Sequence, residues 1–203
     1  MSISEFQEVM DVSRETLGKL ELYSEQLKTW NSRINLVSRN SLNDLWRRHM
    51  LDSLQLTAWD REVTSKGPWI DLGSGAGFPG MVLAIAGVLD VHLVESNSRK
   101  CAFLREVAIL TNTNVTIHNA RIETLDPLSG RIVTARALAP LVKLLPLAFK
   151  HMAENGQMLF LKGQDIDTEL TQATKCWNMT LCRSPSLSDT AGAIVQLTEV
   201  SRV

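Results

Sequence analysis

Asp71-Leu72-Gly73-Ser74-Gly75-Ala76-Gly77-Phe78-Pro79-Gly80 is the segment of this chain whose residue types and spacing point most directly to chemistry. It follows a short apolar run, Trp69–Leu72, and opens a helical stretch. Where the chain turns that sharply, glycines supply a permissive backbone and remove Cβ atoms from a ligand's path. The helix start beyond it presents free N–H groups. Glu95 ends the next apolar run, where a carboxylate can accept hydrogen bonds from both hydroxyls of an adenosine ribose.

Two cofactors and a ligand-free tight turn compete for this loop. Gly75-Ala76-Gly77-Phe78-Pro79-Gly80 matches the dinucleotide fingerprint. Three features favour S-adenosyl-L-methionine over NAD. Asp71 precedes the first glycine, where a carboxylate suits a cationic ligand better than a pyrophosphate. Only about 120 residues follow the loop, too few for a second nucleotide half and a substrate domain. The chain also ends in the wrong elements for a dehydrogenase, an antiparallel hairpin.

Around the loop, short apolar strands alternate with helical segments. The strands are Trp69–Leu72, Val91–Glu95, Val115–His118, Ile132–Arg136 and Met158–Leu161; helices start near Gly80, Ser98, Leu141 and Ile166. That alternation predicts parallel βαβ units with helices on both faces of one sheet. Met179–Cys182 and Ile194–Val200 have only a Ser/Pro/Asp/Gly-rich loop between them and should form an antiparallel hairpin. The expected fold is an α/β Rossmann-like methyltransferase sheet with a C-terminal hairpin. Residues 1–63 read as a helical appendage and 64–203 as the methyltransferase domain, packed as one compact unit. Ser4 with Gln7 fits a capping box, and Ser41 with Asp44 marks a second helix start. The segment Thr64-Ser65-Lys66-Gly67-Pro68 is the break between the parts.

The charge balance limits the partners. With 21 Lys and Arg against 22 Asp and Glu the net charge is −1, so nucleic acid would be recognised by shape and by local positive charge. Cys101, Cys176 and Cys182 lack metal-ligand spacing, and their odd number argues against a disulfide framework. His49, His92, His118 and His151 are scattered, so no metal site is expected. No signal peptide or membrane-spanning run is seen, and a cytoplasmic protein is expected.

Several segments together resemble the bacterial ribosomal RNA small-subunit methyltransferase G family, the glucose-inhibited division B proteins. They are Trp30-Asn31 with Ile34-Asn35-Leu36-Val37-Ser38, Arg48-His49-Met50-Leu51-Asp52-Ser53-Leu54, the glycine loop, and Glu95-Ser96-Asn97-Ser98-Arg99-Lys100 running into Phe103-Leu104-Arg105-Glu106. Asn119-Ala120-Arg121-Ile122-Glu123, Ala135-Arg136-Ala137-Leu138-Ala139-Pro140 and Leu161-Lys162-Gly163 complete the set. The Gly-Phe-Pro-Gly tetrad and the early His-x-x-Asp-Ser are the more specific parts. Many relatives have Asp where this chain has Glu95. The resemblance implies methyl transfer from S-adenosyl-L-methionine to N7 of one guanosine in the decoding-site loop of 16S rRNA. The substrate would be the RNA or the small ribosomal subunit, and the enzyme a monomer. The resemblance also implies cofactor contacts at Gly73, Phe78, Ile122, Glu123 and Arg136, beside Gly75, Gly77 and Glu95 from the loop argument.

Guanine N7 has an in-plane lone pair and needs no deprotonation, so no general base is expected. The residues after Ile132–Arg136 agree: they include neither an Asn/Asp-Pro-Pro-aromatic motif for exocyclic amines nor a Pro-Cys nucleophile. Arg136 stands there instead. It can orient guanine through O6 and N7, hold a phosphate or the cofactor carboxylate, or form a structural ion pair. Lys162, Arg99 and Lys100 are candidate RNA contacts, with a solvated charged face as the alternative. His49 and Asp52, three apart, are expected to pair and to pack the appendage on the sheet, with a catalytic role as the alternative. A sensor that binds S-adenosylmethionine without catalysis, or a methyltransferase with another substrate, also fits these residues.

Overall fold

The computed structural model describes residues 1–62 and 66–203. The division expected between residues 63 and 64, and Thr64 and Ser65 of the break, lie outside the described residues. The chain opens with α1 (Ile3–Val9), α2 (Arg14–Asn31) and α3 (Arg39–Asn43). A continuous helical segment follows: a π-helical turn (Trp46–Leu51), α4 (Asp52–Leu54) and a 3-10 stretch (Gln55–Glu62). Both expected helix starts are displaced toward the N-terminus. Ser2 caps α1 in a capping box with Glu5, whose ionised carboxylate accepts from the Ser2 amide, a stronger reciprocal partner than Gln7 offers Ser4. Ser38, not Ser41, caps α3 by accepting from Ser41 N.

The remainder alternates as expected: β1 (Trp69–Leu72), α5 (Gly80–Ile85), β2 (Val91–Glu95), α6 (Ser98–Leu110), β3 (Thr116–Asn119), β4 (Gly130–Arg136), α7 (Leu141–His151), β5 (Met152–Lys162) and α8 (Ile166–Ala173). The hairpin of β6 (Trp177–Pro185) and β7 (Ala193–Arg202) ends it. The seven strands lie in the order β3-β2-β1-β4-β5-β7-β6. The first five are parallel, and β7 enters antiparallel between β5 and β6. The fold is the Rossmann-like sheet closed by a hairpin.

Successive side chains on a strand face opposite ways, and the core divides accordingly. Trp69, Leu93, Ile132 and Leu159 face the N-terminal helices in one apolar cluster with Phe6, Leu20 and Leu27. Ile70, Val94, Val133 and Phe160 face α7 and α8 on the other side. The appendage therefore has no separate core; its apolar faces form one wall of the sheet's own. Among the described residues no helix is long and apolar enough to cross a membrane.

Candidate active site

In an open parallel sheet, ligands bind beyond the carboxyl ends of the strands where the strand order reverses. Here that point lies between β1 and β4, and a cavity of about 940 Å³ opens there. Its floor is the glycine loop and the β4 end, and its walls are the helical cap and the hairpin loop. Of the residues expected in a site, it brings together Gly73, Gly75, Phe78, Arg136 and Lys162. Gly77, Glu95, Ile122, Glu123, Arg99 and Lys100 are not among its lining residues.

The glycines have different tasks. Gly75 has φ +58°, and a Cβ there would meet only Gly73 O, at 3.8 Å. The space over Gly75 is open. Gly77 has φ +98°, and a Cβ there would press on Tyr23 Oη at 2.6 Å, Met81 Cβ at 2.8 Å and Leu104 Cδ2 at 2.9 Å. Gly77 is thus a packing position that admits α2 and α6 to the loop. Tyr23 completes that joint by donating its hydroxyl proton to Ala76 O and stacking on Phe78.

The carboxylates fix the loop. Asp71 is fully buried and accepts from Gly80 N at 3.1 Å, so it caps α5 and does not face the cavity. The free N–H at that helix start draws the carboxylate in, so any pull it exerts on a cationic ligand acts from behind the loop. Burial raises its pKa to about 6, against the pull of the Gly80 amide, Ser74, Arg136 and Thr134. Glu95 accepts from Gly75 N at 2.9 Å and from Asn97 N at 2.7 Å. Ile122 is buried in a 3-10 turn after β3, its carbonyl 3.0 Å from His151 Nε2, and Glu123 O accepts from Lys150 at 2.7 Å. Arg99 and Lys100 lie in the first turn of α6, where Asn97 caps their amides.

Arg136 ties the sheet to the cap. Its Nη1 donates to Arg48 O at 2.8 Å and to Asp52 Oδ2 at 3.2 Å, and its Nη2 lies 2.7 Å from His49 Nδ1. The guanidinium carbon stands 5.1 Å from the centroid of the Phe78 ring, whose other neighbours are the stacked rings of His49 and Tyr23. Burial, with Arg136 and Arg48 nearby, lowers the His49 pKa to about 3, so the imidazole is neutral. Its Nδ1 accepts from Arg136, which leaves the proton on Nε2. That nitrogen is buried with no hydrogen-bond partner among the described residues. His49 and Asp52 do not pair with each other as their spacing suggested. The helix is π-wound through His49, and both residues turn to Arg136 instead.

Lys162 donates to Ala139 O at 2.8 Å and to Glu169 Oε2 at 2.7 Å, and Glu169 also accepts from Leu141 N at 2.7 Å. Together they pin Ala137–Pro140, the loop after β4. Two parts of the cavity escaped sequence reasoning. Leu138 was visible only as part of a motif. The wall at Ser186–Gly192 joins the cap through Ser188 Oγ, which donates to Asp52 at 2.5 Å, and through Gln55, which accepts from Leu187 N at 2.8 Å. No local signal marks a contact across so many residues. Among the described residues no group of three or more His, Cys, Asp or Glu is placed to hold a metal.

Known proteins share this arrangement. A putative O-methyltransferase from Klebsiella pneumoniae superposes with a TM-score of 0.60 at 13% identity, covering 89% of each chain. The magnesium protoporphyrin IX methyltransferase of Synechocystis PCC 6803, solved with bound SAM, gives 0.58 at 13% identity, covering 92% of this chain and 97% of that one. At such identities the likeness is one of fold. Sequence relatives are nearer: the ribosomal RNA small subunit methyltransferase G of Paramagnetospirillum magneticum is 57% identical over 94% of this chain and 92% of its own. That of Rhodospirillum rubrum is 49% identical over 94% of each. Residues 16–194 match the model of the rRNA small subunit methyltransferase G family, and the chain belongs to that family.

Proposed function

We propose that this protein methylates N7 of one guanosine in the decoding-site loop of 16S rRNA, with S-adenosyl-L-methionine as donor. Family membership supports the reaction class. The observation that carries the cofactor is the state of the loop amides. Gly75 N donates to Glu95 and Gly80 N to Asp71, so neither amide is free to donate to a dinucleotide's pyrophosphate. The loop therefore favours a cationic ligand over an anionic one, while the open space at Gly75 leaves room for its approach. The loop residues Gly73, Gly75 and Phe78 would hold S-adenosylmethionine, with Glu95, Ile122 and Glu123 toward its adenosine and Arg136 nearby. Once bound, it supplies an electrophilic methyl group on sulfur.

The chain's own residues supply position and dryness rather than proton transfer. The lone pair of His49 already accepts from Arg136 and its pKa is lowered to about 3, so it is unsuited to act as a base. An attacking N7 requires none. Rate then comes from alignment and the exclusion of water. In paired RNA the N7 edge faces a groove too narrow for side chains, so the target is unpaired or held open. We place the enzyme in the cytoplasm as a monomer acting on rRNA or the small subunit, and treat residues 1–63 and 64–203 as one working unit. The N-terminal helices and the sheet share a core.

The experiment is methyl transfer to 16S rRNA and to small subunits, followed by borohydride reduction and aniline treatment. A methyl on N7 makes the ring cationic, so reduction sensitises the chain to cleavage at the modified guanosine. Incorporation without cleavage would assign another atom. Binding of S-adenosylmethionine with no incorporation into either substrate would establish the sensor instead.

A further inference from the structure

Leu138 is an apolar side chain that the fold leaves uncovered inside the cavity. It is 36% exposed, whereas Leu36, Phe78 and Leu161, which also line the cavity, are 8%, 3% and 7% exposed. Its backbone is held firmly. Ala137 before it has φ +51°, in the left-handed region that residues with a side chain seldom enter. The carbonyl after it accepts from Lys162, and the next helix start is capped by Glu169. Strained backbone held by its surroundings marks a position worth a functional hypothesis.

The direction of the side chain adds to this. Leu138 Cδ1 lies against Gly73, close enough that a Cβ on that glycine would stand 2.6 Å from it. Leu138 thus occupies the seam between the glycine loop and the strand end that carries Arg136. Polar side chains can take the edge of a guanine, but its flat face is apolar and needs an apolar neighbour to keep water out.

We propose that Leu138 packs against the face of the substrate purine and fixes its approach to the methyl donor. This rests on the function proposed above. The contact is made by shape and dryness, not by aromatic stacking, so an unbranched apolar side chain of similar volume should replace it.

The test compares wild type with Leu138→Ala, Leu138→Met and Leu138→Gln. The measurements are kcat and KM on small subunits, subunit affinity in the presence of S-adenosylhomocysteine, calorimetric affinity for S-adenosylmethionine, and the melting temperature. The Ala and Gln variants should lose about 10- to 100-fold in kcat/KM, the range for an apolar contact in a substrate pocket. They should bind small subunits more weakly, while cofactor affinity and melting temperature stay at wild-type values. Met should retain most of the activity. An Ala variant with wild-type kcat/KM and subunit affinity would overturn the proposal. So would a loss matched by an equal loss of cofactor affinity, because Leu138 would then serve the cofactor. A wild-type protein that binds no S-adenosylmethionine or methylates no subunit fails at an earlier step, and refutes the parent reading instead.

Discussion

Arg136 and His49 meet across the seam between strand and cap, with guanidinium Nη2 2.7 Å from imidazole Nδ1. The same guanidinium reaches Asp52 and the Arg48 carbonyl, so one side chain from β4 serves three acceptors of the helical cap. A planar fork does this; an ammonium on a flexible stem does not. Arg136→Lys should therefore lose most methyl transfer in single turnover at saturating cofactor and also melt at a lower temperature. A Lys variant with full activity and unchanged melting would remove Arg136 from both roles.

The two glycines of the loop separate ligand space from packing space. Gly75→Val should abolish binding of S-adenosylmethionine, since its side chain enters the cavity, and should cost only the strain of a branched residue at φ +58°, with no packing clash. Gly77→Val should instead destabilise the protein, because its side chain meets Tyr23, Met81 and Leu104. Calorimetry and thermal melting on both variants distinguish the effects. Equal loss of cofactor affinity and of stability in the two would contradict this division.

Glu95 bonds two amides at the edge of the loop and stands where the adenosine ribose is proposed to lie. Glu95→Ala should weaken S-adenosylmethionine binding by about 1–3 kcal/mol, the scale of a lost charged hydrogen-bond partner. Glu95→Asp, which keeps the carboxylate, should bind with near wild-type affinity. Unaltered affinity in the Ala variant would place the ribose elsewhere.

Two buried groups give opposite pH dependences. His49 has a pKa near 3 when folded against 6.5 in its ordinary state. Its contribution is complete above pH 6.5 and is lost as the pH falls below that value, because only the unfolded chain takes up the proton. Asp71 has a pKa near 6 against 3.8, so between those values the folded chain holds the extra proton and stability rises as the pH falls. From pH 6 to 4 the two slopes cancel. Asp71→Asn removes one of them, and its denaturant-derived stability should drop by about 1.4 kcal/mol more per pH unit than wild type in that window. Parallel stability curves for the two proteins would show that Asp71 is not the opposing group.

Much of the fold was legible in the sequence because it rests on local patterns. Strand and helix periods, the glycine loop and the helix-free link between the last two strands each have a short-range physical cause. The site was less so. Gly73 and Gly77 look alike in the chain, yet one faces Leu138 in the cavity and the other faces Tyr23 in the core. Asp71 suits a cationic ligand by its place at the strand end, but a nearby helix start takes its carboxylate. His49 and Asp52 suggested a pair by spacing, and the π-helical winding with a distant arginine redirected both. In each case a partner remote in sequence decided the outcome, and periodicity says nothing about such partners.

The placement of β7 between β5 and β6 has a temporal side. It returns the Ser186–Gly192 loop to Asp52 and Gln55, contacts that span more than a hundred positions of the chain. A nascent chain already carries the cap, the glycine loop and Arg136 well before it carries this wall. The cavity can acquire its complete outline only after the hairpin has been synthesised and inserted beside β5. Until then the pocket lacks the wall that Leu187 and Ser188 tie to Gln55 and Asp52.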